Sequence, residues 1–377
     1  MELTPDMFAV ALVVLFGSIQ LFYYLFYFIR LALFRGKPTE VQEQKPVSII
    51  ISAFNEEANL KKNIALWLEQ DYYKNDRPYF EVVVVNDNSE DDTFYFLNTL
   101  QPKYPHLHIV NLTQEAKLIP GKKFPLSMGI KSARYERLLL TDADCSPSSN
   151  QWLKRMNERL SDRKKIVLGY GPYTKHKGWL NKCIRFETAH SAMQYLSYAL
   201  AGNAYMGVGR NLSYLRELFN NNKGFSSHHH IASGDDDLFI NQVATKNNVA
   251  ICIDPDSFVY SEPKKTRLEW HYQKKRHLST GKFYKFKHRF LLGLYALSHA
   301  GFWFSLILAI VFHHYLLITV IAFATRWLIQ FIIYQRIFTK LKENDLIWFI
   351  WLFDVWLLWY HIKSVPAIFF KSKNKWR

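Results

Sequence analysis

The sequence predicts an α/β domain built on a parallel sheet and held between membrane-spanning helices. Three observations predict it. An uncharged apolar run covers about Met7 to Ile29. Strand-like and helix-like patterns then alternate as far as about residue 175. Two further apolar runs follow towards the C-terminus.

The first run, "MFAVALVVLFGSIQLFYYLFYFI", is long enough to cross a hydrocarbon core of roughly 30 Å. It does not read as a signal peptide, because the acids Glu2 and Asp6 precede it and Arg30, Arg35 and Lys37 follow. That charge order places the N-terminus outside and the next segment in the cytoplasm. A linker with Pro38 and Pro46 follows, and the N-terminal unit is placed at 1–45.

The unit 46–288 comes next. Strands are predicted at "VSIIISAF" (47–54), "FEVVVVND" (80–87), "LHIVNL" (107–112) and "RLLLTDAD" (137–144). Helices are predicted between them at 55–70, 91–100 and 123–133. Such alternation implies a parallel sheet, with ligands at the C-terminal strand ends. Residues 178–206 and 264–290 mix aromatics with bases. Each reads either as an interfacial helix with snorkelling lysines or as ordinary packing on the domain.

In the last unit, 289–377, runs at about 289–312 and 315–338 form a hairpin of spans with bases at both outer ends. The segment 346–370 reads as a further span or as one that re-enters and returns. The tail "KSKNKWR" argues for a cytoplasmic C-terminus, which an ordinary fourth span would not give.

The net charge of +16 calls for an anionic partner. There is no nucleic-acid motif, and the bases lie beside apolar segments, so the expected partner is a lipid bilayer. Cys145, Cys183 and Cys252 have neither metal-ligand nor disulfide spacing, as in a reducing compartment.

Acidic clusters stand at the strand ends: "SAFNEE" (52–57), "VNDNSEDDT" (85–93) and "TDADCSP" (141–147). A fourth, "SGDDDLFINQ" (233–242), opens a helical pattern, and a basic "QKKRH" (273–277) follows. Capping explains a single Asn or Ser at such a place. It does not explain carboxylates after three strands of one sheet, which a shared ligand does. "HHH" (228–230) lacks helical ligand spacing and reads as a loop.

These clusters, with "GVGRNLSYLREL" (207–218), occur in one order and spacing. Over roughly 46–285 they resemble the membrane-bound family-2 glycosyltransferases, which include cellulose, chitin and hyaluronan synthases and many lipid-linked sugar transferases. The resemblance implies a GT-A fold, a Rossmann-like nucleotide-diphospho-sugar transferase domain. It implies a nucleotide pocket from Phe54, Asn55, Glu56 and Asp87, with Lys122 and Lys123 near the phosphates. Asp144 would hold Mg2+ or Mn2+ against the donor diphosphate, and Asp142 would contact ribose or support that site. Gly207, Gly209, Arg210 and Asn211 would close around the acceptor. Asp235 would be the catalytic acid-pattern carboxylate, with Asp236 one residue away, and Gln273 and Arg276 would match Q-x-x-R-W.

The chemistry needs the same residue types. A leaving diphosphate must be neutralised by a hard cation, arginine or lysine. An acceptor hydroxyl must lose its proton to a carboxylate. One base and no protein nucleophile imply inversion. His277 stands where the polymer synthases have tryptophan, and few spans follow, which speaks against a long-glycan channel. The expectation is therefore an inverting transferase in a bacterial inner membrane. It would take a nucleotide-diphosphate sugar and a lipid or lipid-linked glycan acceptor at the cytoplasmic face. A processive polysaccharide synthase and an inactive scaffold are the competing readings.

Overall fold

The computed structural model describes residues 4–36, 43–113, 121–313 and 315–369, the stretch from 364 onward by its backbone alone. Glu2, Lys37, Pro38 and the basic tail lie outside these residues.

The α/β half is a seven-stranded sheet with helices on both faces. Its main strands are β1 (Val47–Ala53), β2 (Phe80–Asp87), β3 (Leu107–Leu112), β4 (Arg137–Asp142), β6 (Ile166–Gly169), β7 (Leu212–Leu215) and β8 (Val249–Cys252). The spatial order is β8-β6-β7-β4-β1-β2-β3. A separate ribbon pairs β5 (Cys145–Pro147) with β9 (Val259–Ser261). The four strands predicted from sequence are all present, and β4-β1-β2-β3 is parallel. The sheet is not parallel throughout: β7 runs antiparallel to both β4 and β6. The alternation reading stopped before "NLSYL", whose short run is fixed by pairing with neighbours and not by a pattern of its own.

Both faces of the sheet are covered, so the strands are apolar without alternation. Ile49 and Ile51 pack under α2 (Glu57–Leu68), α3 (Thr93–Leu100) and α5 (Trp152–Asn157). Ile50, Val83 and Val85 face α4 (Lys123–Ser132) and α6 (Trp179–Leu200). Helix α6 is the 178–206 segment of the sequence reading. It is buried inside the protein along most of its length, so packing on the domain, not insertion among headgroups, accounts for its aromatics. Phe186 stacks on Phe353 at 4.2 Å, and Arg185 donates to Glu343 at 3.0 Å and to Asp345 at 2.8 Å. One core thus runs from the sheet through α6 to the apolar helices. The short α7 (Arg216–Asn221) and α8 (Asp237–Val243) and the basic α9 (Arg267–Leu278) complete this half.

Among the described residues, four helical stretches are long and apolar enough to cross a membrane: Pro5–Leu33, Phe286–Phe312, Leu316–Lys340 and Asn344–Lys363. The first is α1, and the next two are α10 and α11. The fourth contains α12 (Ile350–Phe369). Helices α1 and α10 interlock through small residues, as close helix pairs in lipid do. Phe16 lies over Gly301, and Phe302 over Gly17, where any added Cβ would crowd the ring.

The fourth stretch does not lead away from the α/β half. It begins beside Glu343, which holds Arg185 of α6. Its second half packs on α9 and on Gly281–Phe283, the turn that leads into α10. Trp270 of α9 is 6.0 Å from both Trp356 and Tyr360. Asp354 anchors it: Arg326 donates both terminal nitrogens at 3.0 and 3.1 Å, Gln330 donates at 2.7 Å, and His299 and Trp303 complete the shell at 3.1 Å. Removing one member of a buried ion pair strands the other charge, at about 3–5 kcal/mol. Asp354→Ala should therefore lower the melting temperature in detergent markedly. An unchanged melt would show that Asp354 does not anchor this helix.

Candidate active-site cavity

The register of the parallel strands aligns Ser52 with Asp142 and Ala53 with Asn86, so the loops after β1, β2 and β4 open along one edge. Above that edge lies a cavity of about 990 Å³. Phe54, Glu56, Asp87, Lys122, Asp142, Asp144, Gly209, Arg210, Asp235, Asp236, Gln273, Arg276 and His277 all line it. The strand-end clusters, the S-G-D-D-D run and the Q-K-K-R-H run therefore meet in one space, although up to some two hundred residues separate them in the chain.

Four residues of the sequence-based set do not line it; they build its walls. Asn55 takes a left-handed conformation, φ 54°, which a short polar side chain tolerates. Its backbone N–H donates to Ser89 Oγ at 3.0 Å, and its Oδ1 accepts from the Glu90 N–H at 2.8 Å, tying the β1 and β2 loops together. Lys123 is fully buried, and its ammonium donates to the carbonyls of His228, Ile231 and Ser233 at 2.6–2.8 Å. It fixes the loop before Asp235 and makes His228 of the "HHH" triplet a loop anchor. Burial lowers its pKa to about 8. Gly121 allows that loop to approach, since a Cβ there would lie 2.1 Å from the Ala232 carbonyl oxygen. Asn211 donates to the carbonyls of Tyr170 and Ser257 and accepts from Trp152, and Gly207 packs against Leu168, Leu212 and Ile240.

The charges are ordered around Lys122. Its Nζ is 2.8 Å from Asp142 and 3.3 Å from Asp235. Burial opposes the ammonium, but Asp142, Asp235 and Asp236 outweigh it and hold the pKa well above the usual lysine range. For Asp142, burial is likewise outweighed, by Lys122, Arg210 and Arg276, and its carboxyl sits low. Asp144 goes the other way. Burial and the neighbouring Asp142 raise it. Glu56 is also raised, by burial first and by Asp144 and Asp142 after it.

Asp142, Asp144 and Cys145 offer ligand atoms within 4.8 Å of one another. Burial pushes the Cys145 thiol well above its ordinary value, so it stays protonated, with Ser261 Oγ at 2.9 Å. The available donors are then carboxylate oxygens, which suit a hard divalent cation.

The acidic triplet divides into three environments. Asp235 is paired with Lys122. Asp237 accepts from Tyr284 at 2.6 Å and from Thr280. Asp236 caps α8, accepting from the Asp237 N–H at 2.7 Å and the Gly209 N–H at 2.8 Å. Burial and then the flanking Asp235 and Asp237 raise it to about 7. Arg210 lies over Tyr173 at 4.9 Å, and Gln273 donates to the same phenol at 3.2 Å. His277 opens onto the cavity. The enclosing walls, then Lys274, Arg276, Arg210 and Lys122, push its pKa well below the histidine range, so it is neutral.

Sequence reasoning missed the cavity face of α6, formed by Glu187, Thr188, His190, Ser191 and Gln194. Its signal was present: Glu187, Ser191 and Gln194 recur at i, i+4 and i+7, which puts them on one stripe of the helix.

Residues 48–222 match the family described as glycosyl transferase family 2. A probable glycosyltransferase of Bacillus subtilis is 32% identical over 107 residues, 28% of this chain and 24% of that protein. A dolichyl-phosphate beta-glucosyltransferase of Trichomonas vaginalis is 34% identical over 101 residues, 26% of this chain and 30% of that protein. The chain thus spans about a quarter to a third of the length of these relatives. Among solved structures, the mannosyltransferase PcManGT of Pyrobaculum calidifontis, in complex with GDP-Man and Mn2+, superposes with a TM-score of 0.57 at 19% identity, over 94% of this chain and 99% of that one. That likeness extends the shared fold to nearly the whole chain. Residues 48–222 are thus similar to glycosyl transferase family 2.

Proposed function

We propose that the protein moves a sugar, with inversion, from a nucleotide-diphosphate sugar to an acceptor carried by a membrane lipid. The observation that carries this reading is one cavity holding a cation-type carboxylate pair, fixed positive charges and a carboxylate poised at about 7. Phe54, Glu56 and Asp87 line the nucleoside end. Asp142 and Asp144 would hold Mg2+ or Mn2+, which when bound would neutralise charge on the leaving diphosphate. Lys122 and Arg276 add fixed positive charge there. Asp236 receives the acceptor proton as the acceptor oxygen bonds to the anomeric carbon and the carbon–oxygen bond to diphosphate breaks. Asp235 and Lys122 position that exchange, and Arg210 and Gln273 brace Tyr173 at the cavity wall.

The relatives' names support a lipid-carried acceptor. One is a dolichyl-phosphate beta-glucosyltransferase, and another, from Methanococcus voltae and 27% identical over 161 residues, is named for a dolichyl N-acetyl-alpha-D-glucosaminyl phosphate substrate. Incubating purified protein with a panel of nucleotide sugars and a lipid extract tests the reading. The expected product is a lipid heavier by one sugar, with the anomeric configuration inverted by NMR. Retained configuration would exclude single displacement, and no donor binding from the panel would exclude the transferase.

The catalytic half is assigned to the cytoplasmic side because Arg30, Arg35, Lys282, Lys285, Lys287, Lys340 and Lys342 lie at the ends of α1, α10 and α11 that adjoin it. The fourth apolar stretch is read as re-entrant, since both its ends adjoin that half. A C-terminal epitope tag should then be protected from antibody in intact cells and exposed after permeabilisation. Labelling without permeabilisation would make the fourth stretch a span.

A further inference from the structure

The polar face of α6 is not used by the donor chemistry. Thr188 lines the cavity, is 9% exposed, and its hydroxyl has no hydrogen-bond partner among the described residues. On α9, the Gln273 Oε1 in the same cavity also has no partner among the described residues. Buried polar atoms are nearly always satisfied, so two open positions in one cavity call for a ligand that both donates and accepts. Ser191 donates to Glu187 at 3.1 Å, and Gln194 is half-buried beside them.

The charge of this face is cancelled. Glu187 is ion-paired with Lys274. His190 is held neutral by burial, with a pKa of about 3, and its Nε2 lies 3.2 Å from the Tyr295 hydroxyl. The face therefore offers hydroxyl, amide and imidazole groups around a balanced pair. A phosphate dianion finds no spare cation among them, whereas the hydroxyls of a saccharide find matching donors and acceptors.

The cavity also grades towards the apolar surface. It passes Leu292 and Ala296 of α10 and Leu357 of α12, and reaches Phe286 and Phe290, which are 77% and 55% exposed. Arg289, which precedes Phe290 in the chain, is exposed and lines the same cavity. An apolar chain at the mouth, an anionic linkage at Arg289 and a neutral hydroxylated head inside would fit in that order.

We propose that the α6 face around Thr188, Ser191 and Gln194 binds a saccharide unit already attached to the lipid carrier. The nucleophile is then a sugar hydroxyl and not the carrier's terminal phosphate. This rests on the transferase reading and narrows its acceptor. It also gives Asp236 its purpose. A terminal phosphate is largely ionised at pH 7, with a second pKa of about 6, and needs no base, whereas a sugar hydroxyl does.

The test compares dodecyl hexosides with dodecyl phosphate as acceptors for the full-length protein in detergent, with the nucleotide-sugar panel and products read by mass. Extension of a dodecyl hexoside, with dodecyl phosphate at least tenfold poorer in kcat/KM, is the expected result. Thr188→Val and Gln194→Leu should each raise the hexoside KM about tenfold while the donor KM moves less than twofold, and Thr188→Ser should restore the hexoside KM. Equal or better use of dodecyl phosphate would overturn the proposal. So would an unmoved hexoside KM in both variants, or donor hydrolysis with no hexoside extended. Absence of donor binding by calorimetry would instead remove the transferase reading, and this subsite with it.

Discussion

Asp236→Asn should lower the transfer rate about 10²- to 10⁴-fold, the range expected for a lost general base, and leave donor affinity within a few-fold. The asymmetry follows from where the carboxylate acts. It takes a proton from the acceptor in the transition state and does not hold the nucleotide. Its neighbours are committed elsewhere, Asp235 to Lys122 and Asp237 to Thr280 and Tyr284. Asp235→Asn should therefore act less directly, by loosening Lys122 beside Asp142. The same assignment sets the pH profile. The folded-state pKa of Asp236 is raised to about 7, and the active form is the ionised one. kcat/KM should be level above that pH and fall about tenfold per unit below it. A variant Asp236→Asn retaining more than a tenth of the wild-type rate would exclude it as base. A collapse in Asp235→Asn with donor affinity intact would move the role one residue back.

Much of this site could be read from the chain because local rules place it. The acids at the ends of β1, β2 and β4 follow apolar runs whose strand identity is plain, and parallel pairing brings the ends into register. Asp142 needed only the knowledge that its run was a central strand. What could not be read depends on contacts across the fold. Lys123 and Lys122 are adjacent in "GKK", yet one is buried under three carbonyls and the other faces two carboxylates. Helix phase decides between them, and the loop they contact lies over a hundred residues on. Asn55 and Asn211 carry the residue type of a ligand site but spend their polar atoms on neighbouring loops. The α6 face was hidden for another reason. Its aromatics read equally as a lipid surface or as packing on the domain, and burial between the sheet and the apolar helices is what they serve.

Asp144→Asn should abolish measurable transfer, and a chelator should do the same to the wild type, reversibly on adding Mg2+ or Mn2+. The two carboxylates of the pair differ in a way that makes the case. Asp142 already has its positive charges, with Lys122 at 2.8 Å and Arg210 and Arg276 nearby, and its carboxyl is low. Asp144 is opposed by burial and by Asp142, and its carboxyl is raised. A divalent cation between them would relieve that repulsion and supply several kcal/mol of charge stabilisation at the leaving diphosphate, roughly 10²–10³-fold or more in rate. Because proton and cation compete for Asp144, apparent metal affinity should rise with pH through its raised pKa, in a higher pH range than for an unperturbed carboxylate. Cys145→Ser separates an oxygen site from a thiolate one. The thiol is held protonated, so the serine variant should keep its Mg2+ dependence. Full turnover in excess chelator, or loss of the metal requirement in Cys145→Ser, would remove the carboxylate pair from this role and leave Lys122 and Arg276 to neutralise the diphosphate alone.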